Sequence, residues 1–159
     1  MRKIAEYSSS SVQTVNPGET VVFTESPVPC QRGFVRHRDG SGNFLLSGYV
    51  PNTYGCGCCN RKNSALYLVD FGANIAIPTG GTAGEISLAI SVDGATLPSS
   101  TMIVTPAAVE EYFNVSRAIN VEIWRGCCET VSIRNTSTQP ILVQNANIII
   151  DRPDLAVTR

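Results

Sequence analysis

The sequence predicts an all-β protein: a closed sandwich of about eight to ten short antiparallel strands, with at most one short helix. Three observations carry that expectation. The runs Val131–Ile133 and Ile141–Ile150 are rich in β-branched residues and joined by a polar turn, Asn135–Pro140. Residues Glu85–Val92 alternate strictly, with Ile86, Leu88, Ile90 and Val92 set against Ser87, Ala89 and Ser91. Turn signals recur along the chain at the spacing expected of a sandwich or barrel. The strand ending at Ile150 is followed by only nine residues, and such an apolar terminal strand is expected to lie inside a sheet.

Taken in order, residues 1–11 read as a polar N-terminal arm and residues 12–159 as one domain. Two short runs in Val12–Thr24 flank Asn16-Pro17-Gly18-Glu19, a turn with Pro and Gly in type II positions. Phe34–Arg38 and Asn43–Val50 flank Asp39-Gly40-Ser41-Gly42, a hairpin signal. Pro51–Asn63 reads as loop. Ala65–Ile77 reads as a long strand, with Leu66, Leu68 and Asp70 opposed to Tyr67, Val69 and Phe71. Asp93-Gly94 is the strongest hairpin signal, and Thr101–Val104 returns from it. Thr105–Tyr112 is the single helix candidate, with Thr105 as cap and Pro106 at the first helical position. Val115–Trp124 and Glu129–Asn135 then flank Arg125-Gly126.

Composition narrows the function. Of 159 residues, 43% are hydrophobic and only 16% charged, with a net charge of −1. A surface this poor in charge suits contact with other protein; it favours neither nucleic acid nor an anionic membrane. No apolar run approaches the length of a membrane helix, which needs roughly 18 residues or more. No apolar segment follows Arg2-Lys3, so the sequence predicts synthesis in a cytoplasm.

Catalytic signals are weak. His37 is the only histidine. It lies beside Arg36 and Arg38 with no local nucleophile, and reads as a surface or interface histidine. Glu110 and Glu111 are sequence neighbours, which do not face each other on a helix. The glycine-rich stretch Ile77–Gly84 lacks the Lys and Ser/Thr of a phosphate loop and reads as a β-turn. No cofactor is expected. The six cysteines, Cys30, Cys56, Cys58, Cys59, Cys127 and Cys128, leave three readings open: disulfides between loop and strand, free thiols, or a thiolate metal site from Cys56, Cys59, Cys127 and Cys128. If Cys127 and Cys128 open a strand, one is expected buried and the other outward. Asn114-Val115-Ser116 and Asn135-Thr136-Ser137 match the glycosylation pattern and read as coincidental.

Several runs carry a likeness: Gly33–Gly42, Ala73–Gly81, Ile86–Gly94, Val104–Val109 and Asn135–Ile150. Over roughly Val12–Arg152 the chain resembles the small trimeric jelly rolls related to tumour necrosis factor and complement globular heads. It is most similar to bacterial and phage versions, such as spore-surface tips and the head-decoration or head-fibre proteins of Firmicutes phages. None of the shared runs is catalytic. The collagen-like Gly-X-Y stalk of the spore and complement proteins is missing, which favours capsid decoration.

The resemblance implies a single jelly-roll sandwich, a homotrimer, and a non-enzymatic protein of the virion. Its implied partners are the major capsid protein, met at local three-folds, and a host-surface glycan or protein. The expected capsid-docking residues are Arg2, Lys3, Ile4, Glu6 and Tyr7 of the arm. The expected trimer-interface residues are Tyr112, Phe113 and Trp124, whose other reading is core packing. The alternative function is a receptor-binding or adhesive trimeric head, on a tail fibre or on a bacterial spore or cell surface.

Overall fold

The alternation read in the sequence becomes two stacked antiparallel sheets in a computed structural model, which describes residues 3–30, 33–50 and 63–155. The strands are β1 (Ile4–Ser9), β2 (Gln13–Val15), β3 (Glu25–Val28), β4 (Val35–His37), β5 (Phe44–Ser47), β6 (Ser64–Ala76), β7 (Ile86–Val92), β8 (Ala95–Thr96), β9 (Met102–Val104), β10 (Phe113–Trp124), β11 (Cys128–Asn135) and β12 (Ile141–Asp151). Sheet A runs β10-β6-β12-β1-β3, with β2 also on β12. Sheet B runs β4-β5-β11-β7-β8, with β9 also on β7. This is the predicted sandwich in its jelly-roll form. Its twelve described strands exceed the eight to ten expected, because β1 and β3 carry no strong sequence signal.

The core lies between the inward faces. Tyr67, Val69, Phe71, Ile148 and Ile150 of sheet A meet Phe44, Leu46, Val131 and Ile133 of sheet B, all buried. Phe23 joins them, its ring 5.2 Å from that of Phe44 and 6.5 Å from that of Phe71. Each such side chain contributes about 1.5–3 kcal/mol by leaving water. In β12 the buried positions shift from Ile141 and Val143 to Ala146, Ile148 and Ile150. A bulge between Gln144 and Asn147 makes that shift, with Asn145 at φ 54°. The asparagines that interrupt the sequence pattern are the bulge itself.

Two expectations need correction. The described part of the 1–11 segment is not a separate arm. Ile4–Ser9 is a strand between β12 and β3, and Ala5, Tyr7 and Ser9 are buried. Its serines made it look like a tail, but every second side chain is small or apolar enough to face the core. Thr105–Tyr112 forms no helix. Glu110 sits at φ 56°, donates its N–H to the Ile77 carbonyl (2.7 Å) and accepts at its carboxylate from Thr79 Oγ1 (2.8 Å). Those tertiary bonds replace helical ones. A single 3-10 turn, Pro98–Ser100, is the only helical segment among the described residues. The Asp93-Gly94 hairpin is as expected, with both residues at positive φ (51° and 83°) between β7 and β8.

Candidate functional site

The outward face of sheet A is built by the register of its strands. Leu66 lies opposite Glu122, Leu68 opposite Asn120 and Asp151, and Asp70 opposite Ala118 and Ile149. Ile149 in turn faces Glu6, and Asp151 faces Ile4. Leu66, Leu68, Leu142 and Ile149 are half-buried, while Ile4 is exposed. The face is therefore an aliphatic stripe interrupted by four carboxylates, Glu6, Asp70, Glu122 and Asp151. Glu6 is held by Asn147, whose amide donates to it at 2.7 Å. One carboxylate oxygen of Asp151 is buried with no partner among the described residues, an arrangement that costs free energy unless another group donates to it.

The adjoining edge strand, β10, has a different character. Phe113 and Arg117 lie on the side of β10 that carries Val115 and Val121, yet both are exposed where the sandwich opens, and Tyr112 precedes them exposed. Of the expected interface residues, Tyr112 and Phe113 thus sit together at this edge. Trp124 is at the far end of β10, 63% exposed, on the outward face beside Ser64. None of the three is a core residue among the described residues: Tyr112 and Phe113 are partly covered at the β10 edge, and Trp124 is largely open.

The expected docking residues separate. Ile4 and Glu6 project from the outward face of sheet A, and Lys3 is half-buried. Tyr7 is turned inward, its ring 4.8 Å from His37 and 5.1 Å from Phe44, so it has no free side chain to insert elsewhere. Burial raises its pKa above the ordinary tyrosine value. Arg2 lies outside the described residues.

Cys56, Cys58 and Cys59 also lie outside the described residues. Cys30, Cys127 and Cys128 carry free thiols; Cys30 is half-buried and the other two are exposed. The expectation that one of the adjacent pair is buried fails because Cys127 is in the turn and Cys128 begins β11, beyond the cover of the sandwich. Among the described residues no group of three His, Cys, Asp or Glu is placed to hold a metal.

His37 lines an open groove of about 410 Å³ on the outward face of sheet B, with Arg36, Arg38, Ser41, Asn43, Leu45 and Thr130. Its ring stacks on Phe44 at 4.5 Å, and Nε2 donates to the Ser41 carbonyl at 2.9 Å. Nδ1 is buried without a partner among the described residues. The histidine pins the β4–β5 hairpin, and no nucleophilic side chain bonds to it among the described residues. Arg36, Leu45 and Thr130 form one row across β4, β5 and β11. The Arg36 and Arg38 guanidiniums make no ion pair or hydrogen bond among the described residues.

A buried cation, which the sequence reading missed, lies at the C-terminal end of β12. Arg152 is fully buried. Its Nε and Nη2 donate to the two Asp154 oxygens at 2.9 and 3.0 Å, and Nη1 donates to the Tyr49 carbonyl at 3.0 Å. The guanidinium lies over the Tyr67 ring at 4.9 Å. Asp154 also accepts from the Leu66 N–H at 3.1 Å. Burial pushes the Asp154 carboxyl up, but the bonds from Arg152 and Leu66 outweigh it and hold the group below its ordinary value. Burial pushes Tyr67 up to about 12 against the opposing pull of Arg152. The pattern Arg152-Pro153-Asp154 is the only sequence signal, and it is too short to be specific. Asn135 is likewise committed to structure: buried, its amide donates to the Val15 and Gln139 carbonyls, leaving it no room for a glycan.

With this geometry in hand, known proteins place the architecture. No protein-family model matches the chain, and no curated protein does. Solved structures match along nearly its whole length. The globular domain of zebrafish complement 1qA covers 99% of this chain and 99% of its own, at 12% identity and a TM-score of 0.61. The fold is a TNF/C1q-type jelly roll. The Eiger TNF of S. frugiperda covers 98% of this chain and 94% of its own, at 12% identity and a TM-score of 0.63. Murine APRIL covers 93% and 97%, at 10% identity and a TM-score of 0.60. At such identities the likeness is one of fold, and no residue role transfers with it.

Proposed function

We propose that this jelly roll assembles as a homotrimer and serves as a non-enzymatic capsid decoration protein. The observation that carries the assembly is a pair of unlike surfaces on one protomer. The outward face of sheet A is aliphatic and acidic, while the β10 edge offers Tyr112, Phe113 and the cationic Arg117. Edge-on-face docking joins apolar to apolar and cation to carboxylate. Because the two surfaces differ, the contact is head-to-tail, and a rotation that closes it makes a ring. The three-fold order and the capsid role are supported by the resemblance of the sequence to phage head-decoration proteins and by the low charge of the surface. Three copies on one shell would bind through effective concentration as well as contact.

Light scattering of the purified chain tests the assembly. A mass three times 17.0 kDa is the expected result, and a monomer overturns it. Antibody labelling of intact phage particles tests the decoration role, which fails if label is confined to unassembled protein. The adhesive-head reading keeps one observation in its favour, the open groove of sheet B.

A further inference from the structure

We propose that the groove on the outward face of sheet B binds an acidic saccharide, whose carboxylate is held by Arg36 and Arg38. Two exposed guanidiniums lie on one short hairpin with no carboxylate bonded to either among the described residues. Arginine's planar fork matches a carboxylate in two parallel hydrogen bonds. Between the arginine end and Thr130 the floor is Leu45, an apolar surface suited to the C–H face of a sugar ring. The Asn43 amide and the hydroxyls of Ser41 and Thr130 border it, suited to sugar hydroxyls.

The groove also has a polarity. At its β11 end, the Asp93 carboxylate accepts the Thr130 N–H at 2.7 Å. A ligand's negative charge is therefore directed to the arginine end and its hydroxyls to the Thr130 end. A peptide fits less well. The groove crosses β4, β5 and β11 instead of running along β4, the edge strand, so a ligand seated in it lies across the strands and does not extend the ladder. His37 fixes the shape from beneath through its Phe44 stack and its bond to the Ser41 carbonyl. The groove belongs to one protomer and lies on the sheet opposite the proposed assembly face. It therefore stands or fails independently of the trimer.

The test is calorimetric titration of the full chain with an oligogalacturonate, its methyl ester and a polyglutamate peptide. Oligogalacturonate is expected to bind, with the ester and the peptide at least about 10-fold weaker, the factor that one lost charge-assisted contact near 1.4 kcal/mol would give. Arg36→Gln and Arg38→Gln are each expected to weaken binding by a similar factor of about 10. Arg125→Gln, which removes a charge outside the groove, is expected to leave binding unchanged. Both groove arginines are exposed, so melting temperature should hold. As a readout that needs no variant, the amide resonances of Leu45 and Thr130 should shift on titration. The proposal is overturned by absence of oligogalacturonate binding, by equal binding of the ester, or by equal or tighter binding of the peptide. Unchanged affinity in the Arg36→Gln/Arg38→Gln double variant also overturns it.

Discussion

The two outward faces obey the same alternation and end up unlike. On sheet B, the outward Ser91 and Ser132 are buried although the described residues form no third layer over them. The Arg134 side chain reaches Ser91 Oγ at 3.3 Å and the Gly18 carbonyl at 2.9 Å, lying across the sheet as its cover. On sheet A, Leu66, Leu68, Leu142 and Ile149 stay half-exposed among the described residues, with carboxylates beside them. Sheet B is dressed over its middle by its own long polar side chain, with Leu45 and Ile103 left accessible on either side. Sheet A leaves a row of four aliphatics half-exposed and so has more apolar area to bury. Alternation says which residues point out; only what those residues are says what the face meets.

The largest test of this contrast is removal of Met1–Ser11. Sheet A would lose the strand between β12 and β3 along with buried Ala5 and Tyr7. The truncated chain is expected to lack a cooperative thermal transition; a folded product would show that β1 is dispensable and return the segment to the status of an arm.

Next in size is Asp154→Asn, which strands the buried Arg152 without a counter-charge beneath the Leu66 end of sheet A. Breaking a buried pair in this way costs about 3–5 kcal/mol, to be read by urea denaturation. The pH dependence follows from the sign of the shift. The Asp154 pKa is depressed in the fold, so its contribution is present above the unfolded value near 4 and is lost as pH falls through the folded value. The variant should show a flatter acid limb than the parent. Parallel limbs would mean that other carboxylates set the acid response.

Ile149→Glu sharpens the comparison between faces. A charge placed among Glu6 and Asp70 should cost several kcal/mol at an interface and reduce the solution mass to 17.0 kDa, with the protomer still folded by circular dichroism. Leu45→Glu on sheet B should leave the mass unchanged. If both variants, or neither, change the mass, the faces are not distinguished in the way proposed. The smallest effect on the protomer is that of Trp124→Ala. At 63% exposure the side chain adds little to folding, and the change should stay within about 0.5 kcal/mol; a larger drop in melting temperature would place Trp124 in a contact the protomer does not make alone.

Much of the fold was legible. Strict alternation marked β7, long apolar runs marked β6 and β12, and Asp93-Gly94 marked a hairpin that forms as expected. The misses have physical causes. β1 and β3 are poor in apolar residues because one has an outward row of Glu6 and Ser8 and the other is an edge containing Pro27, which an edge tolerates. The helix signal at Thr105–Pro106 was local, and Ile77 and Thr79 outcompeted it. Of the candidate sites, His37 lies beside a turn as expected but is not a surface residue: its ring is turned inward against Tyr7 and Phe44, and its arginine neighbours were legible only as a short basic cluster. Their row with Leu45 and Thr130 joins residues nearly a hundred positions apart.

The sequence by itself determined where the chain is extended, where it turns and which side of each strand is apolar, because these follow from side-chain periodicity and local turn chemistry. Only the tertiary structure decided which sheet each strand joins. The turns Arg125-Gly126 and Asn135–Pro140 look like hairpin signals, yet β10 and β11, and β11 and β12, lie in different sheets. The chain crosses the sandwich at those points because apolar faces must be buried against one another. That is a global packing condition, to which no single turn holds the answer.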